Sequence, residues 1–98
     1  MTARDAAGFE VCRVGELSTQ AAGRIGAGDV TRAAYLLAEA ARHAEVASAL
    51  VADDDLAGMG VGLRRAARLL RAGDIEAFEV VMAGLNEAAG RLDKSLGV

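Results

Sequence analysis

The chain has 98 residues, 53% of them apolar, and a net charge of −3. That length makes a single small helical domain, residues 1–98, whose modest core benefits from a partner. The acidic balance argues against a general binder of nucleic acid or anionic membrane, and no apolar run reaches the ~18–20 residues of a membrane span. Alanine supplies 23 of the apolar residues and aromatics only three, Phe9, Tyr35 and Phe78. The core must therefore come from Leu, Val and closely approaching Ala faces. Ten of the eleven basic residues are Arg, which with the Ala, Gly and Val load points to a GC-rich bacterial genome.

Residues 1–15 read as a loosely ordered or helical lead-in. Thr2 with Asp5 can begin a helix, but Gly8 and Gly15 interrupt it. Residues 16–25 give the first clear helical row, with Leu17, Ala21 and Ile25 on one face. Gly26-Ala27-Gly28 ends it, and Asp29 is placed to cap a second helix running to about Ala52. Its inner row is Val30, Ala33, Leu37, Ala40, Ala44, Ala47 and Val51, widened by Leu36, Val46 and Leu50. So wide a stripe suits a helix packed on more than one neighbour.

Asp53-Asp54-Asp55 starts the third helix, since carboxylates favour the positive end of the helix dipole. Its row is Leu56, Met59, Leu63, Ala66 and Leu70. Gly58, Gly60 and Gly62 leave two readings open. Each costs roughly 1 kcal/mol against Ala in a helix, so the helix frays or begins near Gly62, or else the glycines admit a neighbouring backbone. Gly73 and Asp74 then stop one helix and cap the next. The fourth row is Ile75, Phe78, Met82, Leu85, Ala89, Leu92 and Leu96. The Gly28-Asp29 turn is echoed 45 residues later by Gly73-Asp74, as in a chain made of two similar hairpins. The expected fold is all-α, a small antiparallel four-helix bundle built from two helical hairpins.

Catalytic chemistry is hard to assemble. His43 is the only histidine and Cys12 the only cysteine, and neither sits in a nucleophile or metal motif. Cys12 reads as a small apolar residue and His43 as an edge residue of the second helix. The Asp53-Asp54-Asp55 run lacks the alternating ligands and distal Glu of a calcium loop. No phosphate-binding loop is present, and Gly58, Gly60 and Gly62 follow no strand. The reading is of a protein that is not an enzyme and uses no metal or cofactor. A lone cysteine and no apolar run after Arg4 and Asp5 fit a cytoplasmic chain.

The one concentrated surface signal is basic. Arg64, Arg68 and Arg71 fall at i, i+4 and i+7 on the third helix, with Arg65 beside them. Such a stripe can contact an acidic partner or a phosphate, be neutralised by Glu76, Glu79 or Glu87 of the next helix, or simply be solvated. A helix-turn-helix over residues 18–35 is disfavoured, because Arg32 occupies a position that motif buries.

The stretch from Leu63 to Leu96 resembles a tetratricopeptide unit in its helix, Gly73-Asp74, helix grammar. It departs from that family in its 45-residue spacing against about 34, and in having no Pro. The same stretch resembles the helix-Gly-Asp-Ile-Glu-helix phrase of flagellar export chaperones, over about a third of the chain. Size, acidity and Ala/Gly richness resemble the small helical substrates of type VII secretion, although this chain has no Trp for their turn. One grammar shared by three families identifies an architecture rather than a family. The function expected is a small non-enzymatic interaction or accessory module that docks to another protein or to itself, as a homo-oligomer or hetero-complex. The alternatives are a regulator that binds nucleic acid or phosphate through the Arg stripe, and an export-chaperone-like protein.

Overall fold

The computed structural model describes residues 2–96, except the side chains of residues 93, 95 and 96. It holds four helices: α1 (Ala3–Gly26), α2 (Val30–Leu50), α3 (Asp54–Ala72) and α4 (Ile75–Leu96). The connections are two or three residues long, too short for a crossover, so successive helices run antiparallel side by side. The result is the expected four-helix bundle of two hairpins, 39 × 20 × 19 Å. Among the described residues, no helix is long and apolar enough to cross a membrane.

Helix α1 begins thirteen residues before the first clear row in the sequence. A capping box explains the start. The Asp5 N–H donates to Thr2 Oγ1 at 3.1 Å, and the Thr2 N–H donates back to Asp5 Oδ2 at 3.2 Å. Ala7 and Val14 then extend the Leu17–Ala21 face, and all four are buried against α2. That burial outweighs the helix-breaking tendency of Gly8 and Gly15, so the lead-in is the first half of a continuous helix.

The two Gly-Asp turns share their closing hydrogen bonds. Gly28 and Gly73 have φ of +81° and +77°, the left-handed conformation that glycine adopts without penalty. The Gly28 N–H reaches the Ile25 carbonyl and the Asp29 N–H the Arg24 carbonyl; Gly73 reaches Leu70 and Asp74 reaches Leu69 in the same pattern. Asp29 then accepts from the Arg32 N–H, and Asp74 from the Ala77 N–H. The sequence echo is thus a structural echo at the turn. The α2–α3 connection differs. Val51 and Asp53 are extended, and Asp53 Oδ1 accepts from the N–H groups of Asp55 and Leu56.

Helix α2 is central, packed on α1 and α3. Ala33, Ala34, Ala40, Ala41, Ala44 and Ala47 are wholly buried, which brings the neighbouring backbones close. Of the residues that widen the inner row, Leu36 is buried because α2 carries covered faces on two sides, whereas Val46 and Leu50 are exposed. Val30, at the first turn, is partly exposed.

Helix α3 is continuous through Gly58, Gly60 and Gly62. A Cβ on Gly60 would lie 3.1 Å from Glu45 Cγ and 3.6 Å from the Ala41 carbonyl of α2. A Cβ on Gly62 would lie 2.7 Å from Leu85 Cδ2 of α4. These two glycines therefore admit two different neighbours, and the second of the two sequence readings holds. The predicted α3 row is buried throughout. The α4 row is covered only in part: Phe78 and Leu92 are buried, Met82, Leu85 and Ala89 are half-buried, and Ile75 is exposed at the start of the helix. Leu96 closes that row, but its side chain lies outside the described set.

Candidate functional site

The bundle is not closed. Close packing runs from α1 to α2, α2 to α3 and α3 to α4, with no comparable approach between α1 and α4. A groove of about 320 Å³ lies along that open seam. Val11 and Val14 of α1 form one wall, Met82 and Leu85 of α4 the other, and Met59 and Leu63 of α3 the floor. The seam stays open partly because α1 presents Gly15 and Ser18 there, too small to fill the space. The polar rim is sparse: Ser18, Thr19 and Asn86. Thr19 is already engaged, its hydroxyl donating to the Gly15 carbonyl at 3.0 Å. Two methionines among the lining residues give an adaptable apolar surface.

The four candidate arginines divide. Arg64 turns back onto α2 and forms a two-pronged pair with Glu45, Nε to Oε2 at 3.0 Å and Nη2 to Oε1 at 2.5 Å. This pairing holds the Glu45 carboxyl below its ordinary range and raises the Arg64 guanidinium. Arg65, Arg68 and Arg71 are exposed and make no ion pair among the described residues. Among the described residues these three do not pair with Glu76, Glu79 or Glu87 and are instead solvated, the other of the two structural alternatives. Antiparallel packing aims both charged rows at solvent, and the α4 residue that does pair with α3 is Arg91, on Asp55 at 3.1 Å.

The remaining candidates have structural partners. His43 Nδ1 lies 2.5 Å from Glu10 Oε2, linking α2 to α1. Asp53 caps α3 and Asp55 holds Arg91, so two members of the acidic run are occupied within the fold. No group of three metal-ligating side chains comes together among the described residues. Cys12 is exposed on α1, not packed as a small apolar residue would be. Arg32 is exposed with its guanidinium 5.0 Å from the centre of the Tyr35 ring, and cannot fill the buried position of a helix-turn-helix.

The groove had no direct signature in the sequence. Its traces were Gly15 and Ser18 on the α1 face and methionines in the rows of α3 and α4. No known protein family, characterised protein or solved structure matches the chain.

Proposed function

We propose that this chain is a non-enzymatic protein–protein interaction module that receives an apolar helical segment of a partner protein in the α1–α4 groove. The observation that carries this reading is the open seam itself, where Met82, Leu85 and Ala89 of α4 stay half-covered although their row belongs to the core. Pockets for small ligands place several polar groups around an apolar volume of ~300–1,000 Å³. This groove is at the small end of that range and offers few free polar atoms. It runs between two parallel walls of side chains, the shape in which amphipathic helices lay an apolar face.

The test is a photoreactive residue placed at Asn86, on the groove rim, with the same residue at Glu16 as a control on the outer face of α1. A cross-link at position 86 to one protein of defined mass, absent at position 16, is the expected result. Equal labelling at both positions, or labelling of small molecules alone, overturns the reading.

A second reading is favoured by Arg65, Arg68 and Arg71 being exposed and unpaired. It is phosphate or nucleic-acid contact through that stripe. A mobility shift that weakens steeply with salt and disappears in R68E/R71E is its signature.

A further inference from the structure

The corner where α1 turns into α2 holds a second recess, of about 360 Å³, that shares no lining residue with the groove. Gln20 and Arg24 line it from α1, one turn apart, and Arg32 and the buried Leu36 line it from α2. Gly23 and Ala27 leave the space open; a Cβ on Gly23 would meet nothing within 4 Å. Among the described residues no carboxylate lines the recess, and the side chains of Gln20, Arg24 and Arg32 make no hydrogen bond or ion pair. Arg13, Arg42, Arg64 and Arg91, by contrast, each have an acidic partner. Asp29 ties the two recess arginines together through their backbones. Its N–H donates to the Arg24 carbonyl at 2.8 Å, and its Oδ1 accepts from the Arg32 N–H at 3.1 Å. The turn itself does not call for arginines, since Leu69 and Ala77 stand at the equivalent places of the Gly73-Asp74 turn. The helix dipole accounts for Arg24 in the last turn of α1 but disfavours Arg32 in the first turn of α2.

We propose that this recess binds the phosphate group of a small phosphorylated molecule. A guanidinium can donate two parallel N–H bonds to phosphate oxygens, and two such forks reach the recess from different helices. The Gln20 amide adds a further donor. The contact of Arg32 with the Tyr35 ring, 5.0 Å from its centre, holds the guanidinium without using its hydrogen-bonding capacity. A phosphate monoester carries nearly two negative charges at neutral pH, matching two unpaired cations. A carboxylate carries one charge and would leave the second guanidinium unmatched. The recess spans one turn of each helix and is closed at one end by the Gly28-Asp29 corner, so it suits a phosphate with a small appendage rather than a length of chain. Occupied, it would join the last turns of α1 to the first turns of α2. The proposal uses neither the groove nor the α3 stripe, and stands or falls separately from both.

The experiment titrates the full chain with sodium phosphate, glycerol phosphate and sodium acetate at fixed ionic strength, followed by amide chemical shifts. Phosphate and glycerol phosphate should give saturable shifts centred on Gly23, Arg24 and Arg32 in the millimolar range or below. The dissociation constant should rise about tenfold or more in R24Q and in R32Q, each of which removes a charged fork, and stay unchanged in R68Q. Acetate should bind about tenfold more weakly than phosphate. Shifts that never saturate overturn the proposal, as do shifts centred on Arg65 to Arg71, titrations that R24Q and R32Q leave unchanged, or equal binding of acetate and phosphate. A phosphoserine peptide that binds more tightly than glycerol phosphate overturns the assignment to a small molecule. If R32Q loses helicity by circular dichroism, R32K keeps the charge beside Tyr35 and removes the fork: a weakened titration supports the proposal and an unchanged one overturns it.

Discussion

The two hairpins share a turn and differ in everything the turn does not fix. Gly28-Asp29 and Gly73-Asp74 share the hydrogen bonds that close the turn and cap the next helix, so both helix pairs leave the corner in a similar way. Beyond it, α1 and α2 meet through fully buried alanines and are linked again by Glu10 and His43. Helices α3 and α4 meet through larger side chains, with Leu85 seated over Gly62 and Met82, Leu85 and Ala89 left half-covered. Turn chemistry sets connectivity, while the size of the facing side chains sets how completely two helices cover each other. The open seam lies where α4 of the second hairpin faces α1 of the first.

The largest break in this comparison should come from Leu63→Ala. Leu63 is buried in the floor beneath the groove, and its loss should cost about 3 kcal/mol in urea unfolding, within the ~2–5 kcal/mol seen for such truncations. Next are the two turn glycines. Gly28→Ala and Gly73→Ala should each cost about 1–2 kcal/mol, because both force a side chain into the left-handed region. Their costs should agree closely; a difference beyond 1 kcal/mol would show that the turns are not energetic equivalents.

A smaller effect separates the glycines of α3. Gly58→Ala meets no atom within 4 Å and should stabilise the protein by about 0.5–1 kcal/mol. Gly62→Ala should forfeit that gain, because its new Cβ meets Leu85 Cδ2 at 2.7 Å. Equal thermal midpoints for the two variants would refute the seating of α4 on Gly62.

The smallest effect is the response of the α2–α3 pair to pH. Glu45 has a carboxyl pKa below that of the unfolded chain, owing first to its hydrogen bond with Arg64. Its contribution is therefore present above the unfolded value and is lost as pH falls through the folded one. Both partners are largely exposed, so the change should be slight. Comparison of wild type with Glu45→Gln in urea titrations should show a difference at neutral pH that fades below the ordinary glutamate range. A difference that persists unchanged in acid would assign it to something other than this ion pair.

Much of the fold was legible because periodicity and caps are local. The α3 row, both Gly-Asp turns and the Asp53 start of α3 stand as the sequence implies. The start of α1 was obscured by Gly8 and Gly15, whose cost is offset by burial that only the folded chain supplies. The α4 row marked the correct face, but periodicity does not say how fully a neighbour covers that face. Met82 and Leu85 are half-covered because α1 stands off. Of the four candidate arginines, three remain exposed, whereas Arg64 is taken by Glu45, nineteen residues away in sequence. A pair across two helices leaves no trace in spacing along one of them.

Packing that passes mainly from each helix to the next in the chain also governs how the molecule forms and opens. Its contacts are mostly local in sequence, a topology that folds fast because little loop entropy is spent before contacts form. With one flank unsupported, α4 can detach without disturbing the seam between α1 and α2. Amide hydrogen exchange should therefore proceed in tiers, α4 first and the alanine-lined centre of α2 last.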